Sequence, residues 1–220
     1  LLLLSMKMAC ALSFPNTTSS STVSNSIPIC PSSQSLQLLQ FKNSLVVDAY
    51  ASENYCLDPF NRTETWKQSV DCCNWDGVTC NKLTGNVIGL DLGSSNLLGE
   101  INSNNSLFQL PYLRSLNLAF NNFDGSLIPS NFGRIASSLT HLNLSTSGFS
   151  GSVPVEISQL SRLVQLDLSD SYNQLQLGSG SLRGLLDNLT GLSYLVLDGI
   201  DMSLVELDSF MNMSFSLVSL

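Results

Sequence analysis

Histidine, charge and long apolar runs are all scarce in this chain, and each scarcity removes a class of function. There is one histidine, His141, in 220 residues. A single imidazole cannot build the histidine-rich metal sites or the repeated nucleophile–base pairs on which many hydrolases depend. No G-x-S-x-G, H-E-x-x-H, phosphate-binding loop or kinase signature occurs, so the sequence offers no catalytic constellation. Charged residues make up 12% of the chain, with 9 Lys+Arg against 17 Asp+Glu and a net charge of −8. That sign argues against nucleic acid and anionic membrane surfaces as partners. After the first residues, no run approaches the ~18 apolar residues of a membrane span. Paired C-x-x-C units are absent, which together with the lone distant histidine disfavours a zinc site. No cofactor or metal is expected.

What the chain does have is repetition. Leu113, Leu116, Leu118, Phe123 and Gly125 recur 26 residues later as Leu139, Leu142, Leu144, Phe149 and Gly151. The L-x-x-L spacing opens at Val87, Leu113, Leu139, Leu163, Leu192 and Leu217, at successive offsets of 26, 26, 24, 29 and 25 residues. Alternating apolar positions in a short segment predict a strand with one buried edge. Such a strand cannot bury that edge alone, so copies must stack into a solenoid. The side chains between the leucines would face solvent. On that surface Arg114, Asn117, Phe120, His141, Gln165 and Tyr194 are the binding candidates, because exposed aromatics and polar groups on a rigid sheet are good anchors for a protein partner. Asn121 opens the turn after its strand. Ser95, Ser147 and Ser171 take the equivalent place in other repeats, and Ile200 breaks the column. Residues 171–184 are expected to form an irregular coil.

The repeats, 87–220, are preceded by two different segments. Residues 1–24 read as a secretory signal, incomplete at its start. Residues 30–81 carry Cys30, Cys56, Cys72, Cys73 and Cys80, and behind a signal these point to disulfides. Adjacent Cys72 and Cys73 are unsuited to bonding each other. Cys73 to Cys80 closes a short loop, and Cys72 should reach back to Cys30 or Cys56. A helix is expected from Ser33 to Leu45, with Ser32 or Ser33 as N-cap and Leu36, Leu39, Phe41 and Leu45 as its apolar stripe. Trp66 and Trp75 would fill the junction with the first repeat. N-glycosylation sequons stand at Asn16, Asn61, Asn104, Asn143, Asn188 and Asn212, with Asn16 inside the signal. The last residues open a sixth strand and stop within it, so the chain is expected to be part of a longer protein.

The pattern L-x-x-L-x-L-x-x-N-x-L-x-G, fullest from Leu113 to Gly125 with Ile128-Pro129 beyond it, resembles the plant-type leucine-rich repeat. The run CPSSQSLQLLQFKNSL, then Trp66, then DCCNWDGVTCNKLTGNVIGLDL resembles the N-terminal cap of plant leucine-rich-repeat receptors. SLFQLPYLRSLNLAFNNFDGS, SLTHLNLS and the extra Cys56 resemble the receptor-like proteins of the tomato leaf-mould-resistance type. The resemblance implies an α/β fold, a leucine-rich-repeat solenoid behind a disulfide-bonded, helix-containing cap. It implies a non-enzymatic cell-surface ectodomain on the extracellular side of the plasma membrane. Its ligand would be a protein or peptide in defence or development, and it would signal through a partner kinase. Membrane attachment would come only from a C-terminal span outside this chain. The alternatives are the ectodomain of a receptor kinase and a secreted polygalacturonase inhibitor.

Overall fold

A computed structural model of the chain describes residues 29–53 and 59–206. Cys56, Asn16, Asn212, the expected signal and the sixth strand lie outside the described residues. The chain coils right through this length, and each coil contributes one short strand to a shared sheet.

The strands, in chain order, are β1 (Val46–Val47), β2 (Val78–Cys80), β3 (Val87–Asp91), β4 (Leu97–Leu98), β5 (Ser115–Asn117), β6 (His141–Asn143), β7 (Gly151–Ser152), β8 (Gln165–Asp167), β9 (Leu175–Gln176) and β10 (Tyr194–Val196). The helices are α1 (Ser32–Asn43) and α2 (Ser179–Asn188). The main sheet has the order β10-β8-β6-β5-β3-β2 and is parallel except for β2, which closes its start antiparallel to β3. Its register is strict: Leu90, Leu116, Leu142, Leu166 and Leu195 pair in sequence across the sheet. All five are buried, as are Leu92, Leu118, Leu144 and Leu168 two residues on. Each such leucine contributes roughly 1.5–3 kcal/mol on burial.

Opposite the sheet, 3₁₀ segments at Ser106–Gln109, Ser130–Arg134 and Val155–Gln159 complete the first three coils. Phe108, Phe132, Phe149 and Phe123 form a chain of ring contacts between them, with centroids 5.1, 6.2 and 4.9 Å apart. The coils approach each other closely on this side. A Cβ on Gly133 would overlap the Glu156 carbonyl. A second, broken set of pairings runs along the flank: β1 with β4, the bridges Leu98 to Asn122 and Leu127 to Ser150, β7 with β9, and Gln176 to Asp201.

Four expectations change here. The region 171–184 is no irregular coil: it contains β9 and most of the first two turns of α2, whose Leu182 and Leu185 are buried. Helix α1 starts at Ser32 after Pro31, without a side-chain cap. Its buried face is Gln34, Leu38 and Phe41, continued by Leu45, while Leu36 points to solvent. The solvent-facing pattern expected around the leucines stops just past them, because Ser94, Ala119, Ser145, Thr146 and Asp170 are buried where each coil turns away from its strand.

The cap closes the first coil with polar as well as apolar contacts. Gln34 receives the Val87 N–H on Oε1 (2.7 Å) and donates from Nε2 to Asn86 Oδ1 (2.8 Å), so a buried helix side chain serves the first strand. Lys42 Nζ donates to the Thr63 and Trp66 carbonyls at 2.7 and 3.1 Å. Trp66 and Trp75 stack with centroids 5.4 Å apart, and Trp66 Nε1 donates to Asp76 O at 2.9 Å. The disulfides are Cys30–Cys72 and Cys73–Cys80, with Cα–Cα separations of 5.6 and 5.5 Å. Of the two partners open to Cys72, the structure selects Cys30. Closing that 42-residue span stabilises the fold by about 4 kcal/mol in the chain-entropy model.

Candidate binding surface

The solvent side of the main sheet is ordered in rows, because parallel strands in register place equivalent residues side by side. One row is Gly89, Ser115, His141, Gln165 and Tyr194. It brings three of the sequence candidates together on adjacent strands. Tyr194 is 43% exposed, and His141 and Gln165 are half-buried. Arg114 is exposed just before β5.

The neighbouring row is Asp91, Asn117, Asn143, Asp167 and Val196. Its first four members do local work. In each, Oδ1 accepts the backbone N–H two residues on: Gly93 (3.2 Å), Ala119 (3.0 Å), Ser145 (2.9 Å) and Ser169 (3.0 Å). Asn117 also donates from Nδ2 to Asp91 Oδ1 at 2.9 Å. A binding candidate on sequence grounds, Asn117 thus has its amide engaged within the sheet. The period-2 pattern gave no sign of this column. The repeated Asx at a fixed place after the leucine pair was the signal available.

Phe120 lies outside the strands, at the turn, with φ 58° and its side chain half-buried. Ser94 and Thr146 have the same left-handed backbone at the equivalent place, and Gly199 supplies it in the fifth coil. The Phe120 carbonyl accepts from the buried Ser52 hydroxyl at 2.7 Å, and Ser52 Oγ also accepts the Asn96 N–H. The segment before residue 54 is therefore pinned to the turns of the first two coils, a contact no motif announced.

His141 Nδ1 is 2.8 Å from Thr140 Oγ1, which itself donates to Arg114 O at 2.8 Å. The hydroxyl proton is committed to that carbonyl, so Nδ1–H is the donor to the hydroxyl. Burial lowers the His141 pKa from its ordinary value.

Of the sequons within the described residues, Asn61 caps a 3₁₀ turn by accepting from the Thr63 N–H, and Asn104 and Asn188 are exposed. Asn143 lies on β6, and its Oδ1 accepts from the Ser145 hydroxyl at 2.7 Å. Cys30, Asp71, Cys72 and Cys73 cluster with their ligand atoms within 4.8 Å. The three thiols are spent in disulfides, and Asp71 Oδ1 accepts from the Cys30 and Cys73 N–H groups. The cluster is a structural knot, with no thiolate to hold a metal. No helix of the described residues is long and apolar enough to cross a membrane.

Comparison with known proteins places this arrangement. Residues 31–81 match the leucine-rich-repeat N-terminal domain family. The chain is 47% identical over 190 residues to receptor-like protein Cf-9 of Solanum pimpinellifolium, covering 82% of this chain and 22% of that protein. It is 38% identical over 213 residues to receptor-like protein 6 of Arabidopsis thaliana, covering 93% of this chain and 21% of that protein. It thus spans about a fifth of the length of these relatives. Among solved structures, a chain of the BIR3–SERK2 complex from Arabidopsis thaliana superposes with a TM-score of 0.59 at 30% identity, covering 84% of this chain and 92% of that one.

Proposed function

Since the chain belongs with the plant leucine-rich-repeat receptor-like proteins, we propose that it is part of an extracellular recognition ectodomain whose sheet binds a protein or peptide ligand. The observation that carries this reading is the row His141, Gln165 and Tyr194. These side chains stand in register on a rigid sheet, beside a row whose polar groups are occupied. Arg114 adds a cation at the edge of the same surface. Assembly with a partner kinase would convert binding into a signal, and this chain supplies no chemistry of its own. In this reading 1–24 is the signal, 30–81 the cap and 87–220 the repeats. The protein works on the outer side of the plasma membrane, and Asn61, Asn104, Asn188 and Asn212 carry glycans.

Two measurements test the proposal. Sequencing the transcript beyond Leu220 should reveal further repeats, an apolar span and a short tail. A kinase signature after the span would assign the chain to receptor kinases. A stop after a second cysteine cluster would make it a secreted inhibitor. In the full protein, the combined substitution Gln165→Ala and Tyr194→Ala should weaken ligand-dependent signalling by about tenfold or more while leaving surface abundance unchanged. Unchanged signalling would remove the row from the binding site. Peptide mass mapping adds a separate check, because a glycan on Asn143 would stand beside His141 and Gln165 and close this surface.

A further inference from the structure

A second concave feature lies on the flank of the solenoid. A groove of about 420 Å³ is lined by Tyr50 and Ala51 from the cap, Asn122, Asp124 and Gly125 from the second coil, Gly148 from the third, and Tyr172 and Gln174 from the fourth. It therefore crosses three coils. With about 4.8 Å between neighbouring strands, its length is roughly 10 Å, enough for about three residues of extended chain.

The lining has a definite chemistry. Tyr50 and Tyr172 are 75% and 48% exposed. Among the described residues Asp124, which is exposed, is the one charged residue of the lining, and the sole ion pair joins Arg62 and Asp91 elsewhere. Asp48, which accepts the Tyr50 N–H at 2.8 Å, adds a second carboxylate to the same cap turn. Among the described residues, no lysine, arginine or histidine lines the groove. On the floor, Asp124, Gly125 and Gly148 all take left-handed backbone, with φ of 56°, 68° and 70°. A Cβ on Gly125 would meet nothing within 4 Å. Two tyrosines and an unpaired carboxylate around an open floor select for a cation that an aromatic face attracts and an anion neutralises.

We propose that this groove docks a basic, extended segment of a protein partner, with an arginine or lysine side chain held by Tyr50, Tyr172 and Asp124. The site shares no residue with the row on the main sheet, so the two readings stand or fall separately.

The test uses the full chain, secreted and non-reduced, in fluorescence anisotropy against a labelled Gly/Ser peptide carrying two arginines. A matched peptide carrying two glutamates and a neutral cello-oligosaccharide complete the set. The basic peptide should bind saturably at one site, more weakly as salt rises. Tyr172→Ala should weaken it about tenfold and Asp124→Gly several-fold. Glycine takes the left-handed backbone at position 124, so that variant removes the charge without straining the turn, and it creates no N-x-S sequon ahead of Ser126. Tyr50→Ala repeats the aromatic test at the more exposed ring. Asp187→Asn, exposed on α2, should change nothing, and neither should Gln165→Ala with Tyr194→Ala. Absence of binding, equal binding of the acidic peptide, equal loss in Asp187→Asn, or binding of the neutral sugar alone would overturn the proposal.

Discussion

The second and fourth coils meet the same demand in opposite ways. Each must turn sharply after its strand, and each turn buries backbone groups that need partners. In the second coil the task falls to Asn121, fully buried. Its Oδ1 accepts the Ser95 and Leu97 N–H groups at 3.1 and 3.0 Å, and its Nδ2 donates to Leu92 O, Leu118 O and Ala119 O. Three of these five bonds reach back into the first coil, so the residue is a cross-link between coils. In the fourth coil the buried Asp170 does the work. Its Oδ1 accepts the Tyr172 N–H, and its Oδ2 accepts those of Gln174 and Leu175. All three side-chain bonds stay within its own coil, and the tie to the fifth coil is left to the backbone, where the Asp170 N–H donates to Asp198 O at 2.8 Å. An amide, which both donates and accepts, suits the first task. A carboxylate, which only accepts, suits the second.

That contrast can be broken by exchanging the two groups. Asn121→Asp would aim a buried carboxylate at three carbonyls that now receive N–H bonds. The expected loss is about 4 kcal/mol, read by urea unfolding of the non-reduced chain. A loss below ~1 kcal/mol would show that the inter-coil bonds matter little. The reverse exchange, Asp170→Asn, leaves one acceptor oxygen where two are used and turns an NH₂ toward an N–H. It should cost about 2 kcal/mol. Hydrogen exchange should speed up in the fourth coil while the first and second keep their protection.

A subtler probe of the same sheet is pH. The His141 pKa is lowered by burial. Between the ordinary histidine value of about 6.5 and the lower folded value, the unfolded chain therefore binds the proton that the folded chain resists. The contribution of His141 to stability is complete above about pH 6.5 and declines as pH falls through the folded pKa. His141→Gln should flatten that part of the stability–pH curve, the smallest of the three effects. An unchanged curve would show that the ring titrates alike in both states.

The sequence made the second coil legible and the fourth obscure for one physical reason. Strict 26-residue spacing lets side chains at equal offsets do equal work, so Leu116 and Leu142, or Phe123 and Phe149, could be matched by counting. The fourth coil spans 29 residues from Leu163 to Leu192. Counting assigned its turn to Ser171, which is exposed and has its hydroxyl 3.1 Å from that of Thr146, whereas the longer turn is held by Asp170. The helix α2 was hidden by Gly180 and Gly184, poor helix formers. Packing overrides propensity there. Leu182, Leu185 and Leu189 are buried, and Gly184 lets the helix close on Ser158 and Val155 of the preceding coil. On the candidate surface, alternation located Gln165 and Tyr194 but could not tell Asn117 from them, because engagement in a side-chain column depends on register between strands. β1 was illegible because two exposed valines carry no period.

The inter-coil reach of Asn121 also bears on how such arrays can change by recombination. Backbone register makes the coils look interchangeable, since Leu90, Leu116, Leu142 and Leu166 are equivalent rungs. A crossover that deleted 139–162 could rejoin Leu116 to Leu166 and keep Asn121 with its partners in the first coil. A crossover that deleted 113–138 would bring Ser147 beside Ser95 and Leu97, and a hydroxyl has too few atoms to replace five bonds. The third coil is thus a unit of exchange, and the second is fixed to the cap end of the array.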